Sequence, residues 1–217
     1  MIELYSAHDG FTFGAHQVAA RGARRGSVVV IQEIFGVTEH IRERCDVFAG
    51  AGYDVLAPSL FDRIERGFLV PFDVHGVQRG RDAVEASPWP QVMSDVQTTI
   101  DALTPPVSIV GFCYGGAVAW LAAARCTGLV GASAFYGRLI NSLLDDAPQV
   151  PIILHYGARD PGIPPAAVDE VRARYPDLPV HLYEAGHGFC RQGSSDHDAA
   201  SCALATDRTL ALFASLV

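Results

Sequence analysis

The sequence predicts an α/β fold, with a mostly parallel central sheet and helices on both faces. Three observations carry this expectation. Short β-branched runs alternate with longer helical patterns along the chain. Several of those runs, Val28-Val29-Val30-Ile31 among them, are almost continuously apolar, as strands covered on both faces must be. The length of 217 residues suits one domain, residues 1–217, and 49% of the chain is apolar, enough for a substantial core.

In chain order, Ile2 to Ala19 reads as an antiparallel hairpin at a sheet edge, turned at His8-Asp9-Gly10. Strands follow at Val28–Glu33, Asp54–Ala57, Val107–Val110, Gly131–Tyr136, Ile152–Tyr156 and Val180–Tyr183. Helical patterns occupy Glu39–Ala51, Gln91–Leu103, Tyr114–Arg125, Pro165–Tyr175 and Asp198–Leu212. Thr38 can cap the first helix, and Gly50 and Gly52 supply its stop. Pro105-Pro106 separates the second helix from the strand after it. The irregular stretch Asp62–Trp89 mixes arginines with Phe68, Leu69, Val70 and Phe72. It reads as a connection or lid over the C-terminal edge of the sheet, where open α/β folds bind ligands.

Composition narrows the function. The net charge is −8, with sixteen basic residues that are all arginine. That balance disfavours nucleic acid and acidic membrane surfaces as partners, and no basic run overrides it. Without lysine, Schiff-base, P-loop and pyridoxal chemistry are excluded. No stretch has the roughly 18 uninterrupted apolar residues of a membrane span, and the N-terminal residues lack the pattern of a secretory signal, so a cytoplasmic protein is expected. The five cysteines, Cys45, Cys113, Cys126, Cys190 and Cys202, form no C-x-x-C pair. This argues against a disulfide framework or zinc knuckle and for mostly buried, reduced thiols. No metal-ligand spacing appears, and no cofactor is implied.

The strongest local signal is Val107-Ser-Ile-Val-Gly-Phe-Cys113-Tyr-Gly-Gly, followed directly by a helical run. This is the strand–turn–helix context of the G-x-S-x-G nucleophile elbow, with cysteine replacing serine. The turn crowds the nucleophile, so the residues two before and two after it must lack side chains; Gly111 and Gly115 meet that need. A thiol at a helix N-terminus sits at the positive end of the helix dipole, and the N–H of Tyr114 is placed as an oxyanion donor. The alternative is a buried structural cysteine at a tight glycine turn.

In this fold the orienting acid and then the histidine follow the nucleophile in chain order. The strand Ile152–Tyr156 runs into Gly157-Ala-Arg-Asp160-Pro-Gly, and Val180–Tyr183 into Glu184-Ala-Gly-His187-Gly-Phe. Taken alone, Asp160 could be an ordinary turn aspartate and His187 a solvated loop residue. Cys113, Asp160 and His187 each falling after successive strands, in that order, selects them as a triad. A papain-like arrangement has the wrong order and the wrong fold pattern.

A second acid, Glu33, ends the apolar strand Val28–Glu33. Burying a carboxylate is costly, so Glu33 requires hydrogen bonds or a raised pKa; bonding to local amides is the plain structural reading. The N–H of Ile34 stands where this fold draws its second oxyanion donor.

Gln32-Glu33-Ile-Phe-Gly-Val37, Gly111-Phe-Cys113-Tyr-Gly-Gly116, Gly157-x-x-Asp160 and Gly186-His187-Gly-Phe189 together resemble the dienelactone hydrolases, across nearly the whole chain. The Glu33 and Cys113 motifs are the specific part. The resemblance implies an α/β-hydrolase fold, a Cys113–His187–Asp160 triad, and Glu33 lying against the thiol to keep it latent until substrate binds. It also implies that Arg191, four residues after His187, binds a substrate carboxylate. Arg79 or Arg81 matches the family's other arginine, and Tyr136 at a strand end is a candidate pocket residue. The segment Arg66–Phe72 is more apolar than the family's loop.

The expected partner is a small anionic lactone or ester, with a monomer or weak homodimer as the assembly. A cysteine esterase or thioesterase with a more apolar substrate is the alternative within the same chemistry. A non-catalytic ligand sensor and a thiol redox protein using Cys113 and Cys190 are readings from other classes.

Overall fold

Eight strands form one sheet in the order β1-β2-β4-β3-β5-β6-β7-β8 in the computed structural model, which describes all 217 residues. The strands are β1 (Ile2–Tyr5), β2 (Thr12–Val18), β3 (Gly26–Ile31), β4 (Tyr53–Pro58), β5 (Val107–Phe112), β6 (Leu129–Phe135), β7 (Ile152–Gly157) and β8 (Val180–Tyr183). β1 and β2 form the expected antiparallel edge hairpin, and β2 joins β4 antiparallel; every pairing from β4 to β8 is parallel. Six helices surround the sheet: α1 (Glu39–Gly50), α2 (Val74–Glu85), α3 (Trp89–Asp101), α4 (Tyr114–Arg125), α5 (Pro165–Arg174) and α6 (Ala199–Ala214). This is the α/β-hydrolase architecture.

β3, β5 and β7 are buried along their whole length, which is why their sequences read as apolar runs without alternation. α4 is buried from Tyr114 to Ala123, so its sequence is apolar on every face. The indole N–H of its Trp120 donates to the Leu143 carbonyl at 3.1 Å, satisfying the one polar atom that this side chain buries. No helix is long and apolar enough to cross a membrane.

Thr38 stands at the N-cap of α1, but its side chain makes no capping hydrogen bond. Three larger features also differ from the sequence reading. The connection Asp62–Trp89 is not irregular throughout, because it contains α2. Asp73 caps this helix by accepting from the Gly76 N–H at 2.8 Å. Its inward face is Gly76, Gly80 and Ala83, residues too small to write a hydrophobic stripe. The small face lets α2 lie directly on the chain after β3: a Cβ on Gly80 would stand 2.5 Å from the Ile34 carbonyl oxygen. A 3₁₀ turn over Arg138–Leu143, after β6, also went unread. Finally, Cys190 and Cys202 are paired as a disulfide, where the spacing argues against a disulfide framework and for mostly reduced thiols. Their separation of 12 residues carries no motif; the pairing arises because the loop after β8 folds back onto the first turn of α6.

Candidate active site

The sharp turn between β5 and α4 holds Cys113 at φ +54°, a conformation that L residues rarely adopt. Two glycines make the turn possible. A Cβ on Gly111 would lie 1.7 Å from the Gly115 carbonyl oxygen, and one on Gly115 would lie 2.5 Å from that of Ile31. The Cys113 N–H donates to the Phe135 carbonyl at 3.0 Å, fixing this residue against β6. Tyr114 stacks between Phe61 and Trp89, with ring centroids at 5.6 and 5.9 Å, and locks the start of the helix.

His187 Nε2 lies 3.2 Å from the Cys113 sulfur, and its Nδ1 lies 2.6 Å from Asp160 Oδ2. Asp160 is itself buried, and its Oδ1 accepts the Gly162 N–H at 2.7 Å, so both carboxylate oxygens are used. The loops that carry the two residues are tied together: the N–H groups of Ala158 and Arg159 donate to the carbonyls of Tyr183 and Ala185. Burial works against a charge on His187. The hydrogen bonds to Asp160 and Cys113, reinforced by their negative charge, outweigh it and raise the imidazole to about 10. The site therefore favours a protonated His187 facing the sulfur at neutral pH.

Ile34 and Tyr114 both line the pocket above Cys113. The Tyr114 N–H is the first of α4, where no intrahelical acceptor exists, and the Ile34 N–H donates to no turn or loop carbonyl. Both amides thus lack a backbone acceptor and belong to residues that line the pocket holding Cys113.

Glu33 is fully buried just past β3. Its Oε2 accepts from Arg191 Nη1 at 3.2 Å, while Oε1 has no partner. Burial raises the pKa of Glu33, and the charge and hydrogen bond of Arg191 counter that only in part. Arg191 is held from other sides as well, with its Cζ 5.4 Å from the Phe35 ring centre and 4.7 Å from that of Phe72. In this arrangement the thiol bonds to His187 and Glu33 bonds to Arg191; the contact of Glu33 with the thiol implied by the family resemblance is not among the hydrogen bonds.

A pocket of about 490 Å³ opens over Cys113. Its floor carries Cys113, His187 and Asp160, and Val77, Arg81 and Val84 of α2 form one wall. The segment after β4 thus covers the site as expected, but through a helix. Arg81 and Arg191 both reach the pocket. Arg79 does not: it pairs with Glu65 and lies over the Phe68 ring, outside the lining. Tyr136 is not a pocket residue either. Its φ of +40° tucks the ring wholly beneath the site, 5.2 Å from the His187 ring, with its hydroxyl unpartnered. Burial, then the nearby charges of Glu33 and Cys113, hold that hydroxyl well above the usual tyrosine range. One lining cation escaped the sequence reading, Arg138. Its signal was its place two residues beyond Tyr136, at the C-terminal edge of β6, the strand beside β5.

The sequence model of the dienelactone hydrolase family matches residues 13–217. The carboxymethylenebutenolidase of Pseudomonas putida is 34% identical, over 97% of this chain and 94% of that protein. Carboxymethylenebutenolidase 1 of Cupriavidus pinatubonensis is 32% identical, over 99% of this chain and 96% of its own. Among solved structures, a candidate dienelactone hydrolase from Klebsiella pneumoniae superposes with a TM-score of 0.86 at 28% identity, over 98% and 97% of the two chains. A dienelactone hydrolase-like promiscuous phosphotriesterase from metagenomic libraries shares the fold, with a TM-score of 0.78 at 23% identity over 99% and 97%.

Proposed function

The chain belongs to the dienelactone hydrolase family and is a hydrolase, and on that premise we propose that it opens small carboxylate-bearing unsaturated lactones through an acyl-enzyme on Cys113. The observation that carries this reading is the Cys113–His187–Asp160 alignment, with distances of 3.2 and 2.6 Å, beneath a pocket that presents Arg81 and Arg191.

The steps follow from the positions. His187 holds the proton of the Cys113 thiol, and the sulfur attacks the lactone carbonyl carbon. The oxyanion that forms is met by the N–H groups of Ile34 and Tyr114. The ring C–O bond then breaks, and the ring oxygen leaves as an enolate that takes the proton from His187. Neutral His187 next removes a proton from water, which attacks the thioester carbonyl. The C–S bond breaks, the acid is released and the thiolate returns. Asp160 keeps Nδ1 of His187 protonated, so that Nε2 is the atom that exchanges protons in both halves.

The substrate carboxylate calls for a fixed cation, and a planar guanidinium suits a planar carboxylate. Arg81 has no carboxylate partner within the protein and is free to serve, and Arg191 can turn one face to the ligand while Glu33 holds the other. An esterase acting on more apolar substrates draws on a separate observation: Phe72, about half exposed, packs against Phe35 and Arg191 of the pocket lining. Acid-quenched mass spectrometry decides on the mechanism. Protein mixed with a dienelactone and quenched within one turnover is expected to carry the substrate's mass on the peptide containing Cys113; turnover with no adduct on that peptide contradicts it.

A further inference from the structure

The pocket carries one more cation than a monocarboxylate lactone needs. Arg138 lines it along with Arg81 and Arg191. The sheet order places β3 on one side of β5 and β6 on the other. Arg81 belongs to the β3 side, since the neighbouring Gly80 rests on the Ile34 carbonyl. Arg138 belongs to the opposite side: it leaves β6 two residues after Tyr136, and its Cδ lies 3.7 Å from where a Cβ of Gly162 would stand. Cys113 thus sits between two arginines on opposite flanks.

Neither of the two is spent on the protein. Arg81 and Arg138 have no carboxylate within salt-bridge distance, although eight other arginines of this acidic chain do. The lining carboxylates are Asp160, occupied by His187 and the Gly162 N–H, and Glu85, one turn along α2 from Arg81. The volume of about 490 Å³ is also that of pockets that take ligands well beyond a single five-membered ring.

Resting on the hydrolase reading of the same pocket, we infer that the preferred substrate carries two anionic groups besides the scissile ester, one on each side of Cys113, and that Arg138 binds the second. The substrate class becomes a dicarboxylate ester or lactone, and Arg138 a specificity-determining residue. Its aliphatic stem packs on the Gly162 turn and leaves the guanidinium fork for a planar carboxylate.

Four aryl esters test this: 4-nitrophenyl acetate, 4-nitrophenyl hydrogen succinate, 3-carboxy-4-nitrophenyl acetate and 3-carboxy-4-nitrophenyl hydrogen succinate. Wild-type protein is expected to prefer the doubly charged ester in kcat/KM. In Arg138→Ala the gain from one of the two carboxylates falls by about tenfold, in Arg81→Ala the gain from the other, and Arg138→Lys restores part of it. A purely structural role for Arg138 lowers all four rates by one factor, and that result overturns the inference. Binding separates this from the hydrolase reading. Calorimetry of Cys113→Ala protein should give tighter binding of isophthalate than of benzoate, a margin that shrinks in Cys113→Ala/Arg138→Ala. That margin, seen in protein whose wild type turns over no ester, would sink the hydrolase reading and leave the second anion site standing. Equal binding of the two acids would remove the site.

Discussion

Glu33 and Arg191 meet at 3.2 Å, although they lie 158 residues apart in the chain, and this is the sole bond that the buried carboxylate makes. The contact joins the turn that carries Ile34 to the loop that carries His187. It also leaves a charge in a place that burial penalises.

A carboxylate whose pKa is raised by folding adds stability that is fully present below its unfolded value near 4.5, and that stability is lost as pH rises through the folded value. Removing the charge should remove this loss. The stability of Glu33→Gln relative to wild type is therefore expected to improve as pH rises from about 4.5 toward 8, by at most about 1.4 kcal/mol per pH unit within the window. Urea denaturation at several pH values measures it. A relative stability that is flat, or that worsens, across that range contradicts a raised Glu33.

The pairing of His187 with Asp160 and Cys113 has its own pH signature. With the imidazole raised to about 10, the carbon-bound ring protons of His187 should show no titration between about pH 7 and 9 when followed by NMR. Asp160→Asn takes away one of the groups that raise His187, and its titration should move down toward that window. Unchanged spectra in both proteins would show that Asp160 does not set the protonation of His187.

Gly111 faces the Gly115 carbonyl so closely that no side chain fits, because an added Cβ would stand 1.7 Å from its oxygen. Gly111→Ala must displace the turn that holds Cys113. We expect a loss of at least about 3 kcal/mol of stability, together with near-complete loss of activity. Thermal denaturation and esterase assay of any soluble protein check both. A variant with wild-type stability and activity would refute this geometry of the elbow.

The Cys190–Cys202 bond closes a short loop between the His187-bearing segment and α6. A loop of about this length stabilises by roughly 2–3 kcal/mol. Cys190→Ser/Cys202→Ser, or the wild type under reductant, should melt at a lower temperature, and thiol counting under denaturing, non-reducing conditions should find three free cysteines. Five free thiols and an unchanged melt would contradict the pairing.

The sequence made the triad readable for a local reason. Cys113, Asp160 and His187 each follow a buried apolar strand and sit among small residues, so strand ends and turns could be recognised without tertiary information. Glu33 was visible for the same reason, although its partner Arg191 was assigned by resemblance to the substrate alone. Residues on α2 were harder to place. Arg79 and Arg81 are two positions apart on a helix that turns about 100° per residue, so only one could face the pocket, and Gly76 and Gly80 hid the helix that decides which. Tyr136 stood at the right strand end, but its positive φ directs the ring under the site and away from the pocket. The disulfide and the exposure of Arg138 depend on how loops fold back on the sheet, which no local pattern records.

The central claim is that Cys113 is the nucleophile of a lactone-opening enzyme. The most direct test follows the ultraviolet absorbance of cis- and trans-dienelactone with wild-type protein and with Cys113→Ala. We predict steady turnover of at least one isomer by the wild type and loss of at least about 10³-fold in kcat in the variant. Turnover retained by folded Cys113→Ala would contradict the role of the thiol, and a folded wild type inert toward both isomers would contradict the assigned substrate.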